Sequence, residues 1–122
     1  PYATVKKCIY SALANYEMSA NSGCREGANA ALKLILAEKS RISNHHSRAM
    51  AMAYTAAAMN SARACAHLAH WCKNGEYYHA QCDTWATFWF KKMLRLELGN
   101  NPSFETSLEE RQEAEAWLAA HP

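Results

Sequence analysis

Helix breakers are scarce in this chain. It has four glycines and three prolines in 122 residues, and two of the prolines are its first and last residues. Few internal positions therefore force a helix to stop. Long apolar runs are missing too: none approaches the roughly 20 residues that cross a bilayer, and no charged-then-apolar leader opens the sequence. A soluble, cytoplasmic protein with no membrane contact is the expectation. Cysteine is present but odd in number, as Cys8, Cys24, Cys65, Cys72 and Cys82, scattered through helical pattern. A secreted disulfide scaffold more often shows an even count in loop-rich sequence.

Several chemistries lack their motif. There is no Gly-rich phosphate loop and no Glu-x-x-His helix pair, which excludes the commonest nucleotide and di-metal carboxylate sites. No nucleophile, base and orienting group fall at workable spacing. Ser61 near Cys65 and His67 shares a polar helix face and nothing more, so no enzyme is expected. A clear helix-turn-helix DNA reader is also missing. The loop over 18–26 is too long for its compact turn, and the Asn74-Gly75 turn reads as antiparallel rather than crossed.

Helical periodicity fills most of what remains. Val5, Cys8, Ile9, Ala12, Leu13 and Tyr16 make a stripe over about 3–18, and Leu32, Ile35 and Leu36 mark a second helix over about 26–39. A long alanine-rich third helix is expected over about 45–73, with Ser43-Asn44 to cap it and Asn74-Gly75 to end it. A bulky fourth helix, about 76–98, carries Tyr78, Cys82, Trp85, Trp89, Met93 and Leu96 as its buried stripe. Large residues facing alanines fill a tight antiparallel pair. Gly99 and Pro102 stop that helix, and Ser107-x-x-Glu110 reads as a capping box opening a last one through about Ala120. The expected fold is all-α, a compact bundle of four to five helices around a long central hairpin. With no repeat, low-complexity tract or linker, 1–122 is read as a single helical domain.

Charge is unevenly distributed. Through Leu96 there are twelve Lys/Arg against five acids, whereas from Glu97 onward six glutamates face only Arg111. Either the basic body meets nucleic acid or an acidic protein surface, or the acidic end folds back and cancels it.

The stretch HLAHWCKNGEYYHAQC, residues 67–82, has a symmetry of its own. If both flanks of Asn74-Gly75 are helical, His70 faces His79 and His67 faces Cys82, each pair spaced i, i+3. His67, His70, His79 and Cys82 would then form a His3Cys zinc set, closed and therefore structural. The favoured reading is solvated or capping histidines beside a buried cysteine, with no cofactor, and the zinc set is its alternative. His45-His46 reads as an exposed first turn.

The aromatic run WATFWFKK, residues 85–92, assigns Trp85 and Trp89 to the core. Phe88 and Phe90 project elsewhere, beside Lys91, Lys92 and Arg95, in the composition of an interaction hot spot. The functional expectation is a non-enzymatic adaptor or inhibitor of another protein, such as a nucleic-acid-handling protein targeted by a phage- or plasmid-borne regulator. Its contact residues would be Lys6, Lys7, Arg41, Arg48, Phe88, Phe90, Lys91, Lys92 and Arg95. Nucleic-acid binding, a zinc-stabilised hairpin and homodimerisation are the alternatives.

Overall fold

The computed structural model describes residues 2–99, 102 and 104–122. Among them lie six α-helices: α1 (Tyr2–Asn21), α2 (Arg25–Ala37), α3 (His45–Ala58), α4 (Ala62–Asn74), α5 (Asp83–Leu98) and α6 (Leu108–Ala120). A 3₁₀ turn at Lys39–Arg41 follows α2, and the described residues contain no strand, so the protein is all-α. Contacts gather into two compact units, Pro1–Met59 and Asn60–Pro122.

In the first unit α1, α2 and α3 pack on one another. Ala28, Ala31, Leu32 and Ile35 of α2 and Ala49, Met52, Ala53 and Ala56 of α3 are buried at helical spacing against Ile9 and Leu13. So many alanines leave little side-chain bulk between helices, and backbones come close. Gly27 marks one close approach: a Cβ there would lie 2.5 Å from Ser19 Oγ and 3.1 Å from the Ala20 nitrogen. Ser43, expected as part of a helix cap, instead donates its N–H to the Tyr10 hydroxyl at 2.8 Å.

The second unit packs α5 between α4 and α6 contacts. Its core takes Cys65, Leu68 and Trp71 from α4, Ala86, Phe90 and Met93 from α5, and Ala114 from α6. Ser107 accepts the Glu110 N–H at 3.1 Å while Glu110 accepts the Ser107 N–H at 2.9 Å, the reciprocal capping box expected from sequence.

Two boundaries differ from expectation. The long helix over 45–73 is two helices, because Asn60 adopts a left-handed φ of 65° and Ser61 caps α4 by accepting the Ala64 N–H at 3.1 Å. Asparagine tolerates that conformation and serine favours that cap, so Asn60-Ser61 is a stop-start signal within the alanine run. The helix over 76–98 begins only at Asp83. Gly75, Tyr77 and Tyr78 all have positive φ, so 75–82 is a loop folded on the end of α4. The loop expected around Pro102 falls partly on Asn100, Asn101 and Ser103, outside the described residues.

A basic aromatic face on the fifth helix

The starting residue of α5 decides which of its sides is buried. Ala86, Phe90, Met93 and Glu97, spaced i, i+4, i+7, i+11, form its inner stripe, with Trp89 at the margin. Phe90, expected as a contact residue, lies on that inner stripe and is buried. It is 1% exposed, and its ring lies 5.7 Å from that of Trp117 and 6.2 Å from that of His70. Trp85, assigned to the core by its helical spacing, is instead 55% exposed. Ala86 is what admits the alanine-rich α4, since close backbones need small residues on both sides.

Opposite the inner stripe lie Trp85, Phe88, Lys91, Lys92 and Arg95. Phe88 is 48% exposed and contacts Trp85 edge-to-face at 5.4 Å and Trp89 at 4.9 Å. Lys92 Nζ sits 5.8 Å from the centre of the Trp89 ring. The helix has two carboxylates, Asp83 in its first turn and the buried Glu97, so the outer face carries positive charge and rings without an acid of its own.

Two carboxylates of the acidic α6 pair with α4 rather than with those bases. Glu110 grips Arg63 of α4 through both oxygens, at 2.8 and 2.9 Å. Glu113 lies 3.2 Å from both Lys73 Nζ and His70 Nε2. Within this unit Glu110 and Glu113 are thus turned to α4. Among the described residues, neither Lys91 nor Arg95 forms an ion pair.

The other candidates are in the first unit. Arg41 pairs with Glu38 at 3.1 Å, and Arg48 approaches Glu17 at 3.6 Å and the Tyr10 ring at 5.6 Å. Both are therefore engaged by neighbours, whereas Lys6 and Lys7 are exposed on α1.

The His/Cys set is not brought together. With 75–82 non-helical, the mirror relation across Asn74-Gly75 is lost. Trp71 fills the ground between, its ring 5.8 Å from His67, 5.9 Å from His79 and stacked on Tyr77 at 4.3 Å. His70 turns to Glu113, His79 Nδ1 lies 3.1 Å from the Glu76 carbonyl, and Cys82 precedes the first turn of α5. Among the described residues, no three His, Cys, Asp or Glu side chains are placed to hold one metal ion. His45 and His46 hold their rings 4.2 Å apart.

His67 has a consequence of its own. Burial, followed by Arg63 and His70 against an opposing Glu110, pushes its imidazole down to about 4. Unfolded, the ring titrates near 6.5. Between those values the unfolded chain takes a proton that the folded one refuses. Stability is therefore full above about pH 6.5 and falls as pH drops toward 4, at about 1.4 kcal/mol per unit. Denaturation at pH 7 and pH 5 should show His67→Gln losing about 2 kcal/mol less than the parent between them. Parallel losses in both proteins would mean that the ring is not held neutral.

The described residues define an all-α protein. No helix among the described residues is long and apolar enough to cross a membrane. No family model, curated protein or solved structure matches the chain.

Proposed function

We propose that the chain is a non-enzymatic binding protein that docks the outer face of α5 on an acidic surface of another protein. One observation carries the reading: Trp85, Phe88, Lys91, Lys92 and Arg95 share one side of a helix whose opposite side is core. Two half-exposed rings offer the apolar centre of a hot spot, and the bases offer its charged rim. Complementarity favours an acidic target. A nucleic-acid-handling protein fits only through such an acidic patch, since the basic cleft that receives phosphates would repel this face.

Nucleic acid is the rival occupant of a basic aromatic face. The ring geometry speaks for protein. Base stacking needs open ring faces, and each edge-to-face contact of Phe88 with Trp85 and with Trp89 uses one up.

Trp85→Ala and Phe88→Ala should each weaken the complex about 30-fold, the scale of a hot spot near 2 kcal/mol. Lys91→Glu with Arg95→Glu should mainly slow association and flatten its salt dependence. The check is capture by the tagged full chain from the cells that make it, alongside the Trp85→Ala/Phe88→Ala variant and a Lys6→Glu/Lys7→Glu control. A protein retained by parent and control but lost from the ring variant is the expected result. Equal retention by all three contradicts the proposal, as does a nuclease-sensitive partner.

A further inference from the structure

The end of α4 holds two thiols in a relation that the binding surface does not use. The last carbonyls of a helix have no partner within it. Here the Glu76 N–H reaches the Trp71 carbonyl at 2.9 Å, and the Cys82 N–H reaches the Cys72 carbonyl at 2.8 Å. The chain returns that sharply because Gly75, Tyr77 and Tyr78 adopt φ of 71°, 52° and 62°. Tyr77 then stacks on Trp71 and covers it.

One backbone hydrogen bond therefore spans the two cysteines, and bond lengths limit their separation. A Cα lies about 2.4 Å from its own carbonyl oxygen and about 1.5 Å from its own nitrogen. Added to the 2.8 Å hydrogen bond, these place the Cα atoms at most about 6.7 Å apart. Disulfides take Cα separations of about 4.4–6.8 Å. The thiols also sense one another. Burial raises the Cys72 thiol above its ordinary value, and the neighbouring Cys82 raises it further. Cys72 is buried, Cys82 is half-buried, and both are free thiols.

We infer that Cys72 and Cys82 are a reversible disulfide pair, oxidised by thiol–disulfide exchange with a low-molecular-weight disulfide such as oxidised glutathione. Cys82, the more accessible, attacks as its thiolate one sulfur of the glutathione disulfide. That S–S bond breaks, one glutathione leaves as a thiolate, and Cys82 carries the mixed disulfide. The Cys72 thiolate then attacks the Cys82 sulfur and expels the second glutathione. Each departing thiolate takes up the proton its attacking cysteine released. The two cysteines lose two electrons and the glutathione disulfide gains them. The bridge closes 72–82 covalently and ties the start of α5 to the end of α4.

The remaining cysteines separate cleanly in a test. Cys8 and Cys24 belong to the first unit, and Cys65 is fully buried two turns earlier on α4, its thiol pushed up to about 11 by burial. The full chain carrying Cys65→Ala is equilibrated in reduced and oxidised glutathione, its remaining thiols are alkylated, and it is digested with trypsin. The expected product is the peptide ending at Lys73 linked to the peptide containing Cys82. The thermal midpoint should rise by roughly 10 °C and fall back on reduction. Cys72→Ala should leave glutathione on Cys82, and Cys82→Ser should abolish the link, so the test survives if one variant folds poorly. Alkylation of both Cys72 and Cys82 under conditions that load glutathione onto the exposed Cys8 would overturn the assignment, as would linkage only between chains.

Discussion

Glu97→Ala should destabilise the second unit by about 4 kcal/mol, the scale of breaking a buried ionic network from one side. The Glu97 side chain is 1% exposed at the last turn of α5. It accepts from the Thr106 hydroxyl at 2.7 Å and from the Thr106 N–H at 3.2 Å. Arg111 of α6 stands 3.6 Å from the carboxylate and donates to the Thr106 carbonyl at 3.1 Å. One carboxylate thus fixes the entry to α6 against the exit of α5. Alanine would leave the buried Thr106 donors without that acceptor, and a buried unsatisfied group costs about 1–3 kcal/mol. Glu97→Gln keeps the shape and one acceptor and should cost about half as much. Urea denaturation of the three proteins reads this order directly, and a loss below about 1 kcal/mol for alanine would mean that the carboxylate is not structural.

The second large effect is a contrast between neighbours. Phe90→Ala should cost about 4 kcal/mol, because a fully enclosed ring leaves both a transfer loss and a cavity. Trp85→Ala, five residues earlier, should change stability by less than about 1 kcal/mol, since it forfeits one edge contact with Phe88 on an exposed surface. By size alone the order would be reversed. The same denaturation measurements decide it, and a costly Trp85→Ala with a tolerated Phe90→Ala would rotate α5 by about a third of a turn.

That rotation is also where the sequence was hardest to read. Ile9, Leu13, Leu32 and Ile35 announce their buried faces by spacing, and Ser107-x-x-Glu110 announces its helix by chemistry. The inner stripe of α5 does not, because its first member is Ala86 and its last is Glu97. Periodicity weighted by size passes over a small residue that permits close approach and an acid that is buried because it is bonded. The loop over 75–82 was hidden for another reason. Tyr77 and Tyr78 carry no mark of the left-handed backbone they adopt, and the Tyr77–Trp71 stack that accompanies it is tertiary. Asn60-Ser61 was legible but outweighed by the alanines around it. Of the expected contact residues, Phe88, Lys91, Lys92 and Arg95 share the outer face of α5, and Phe90 does not. The histidines and Cys82 make a ligand set only if both flanks of Asn74-Gly75 are helical, and 75–82 is a loop.

Site-specific photo-crosslinking tests the central claim most directly. A photoreactive phenylalanine analogue is placed at Phe88 in the full chain, and another at Met18, an exposed apolar position on α1. Both chains are irradiated in the cells that produce them, and adducts are resolved after separate protease and nuclease treatment. The outer face of α5 as a protein-docking surface requires a discrete protein adduct from position 88 that position 18 does not give. Adducts from position 18 alone, or a nuclease-sensitive adduct from position 88, would contradict it.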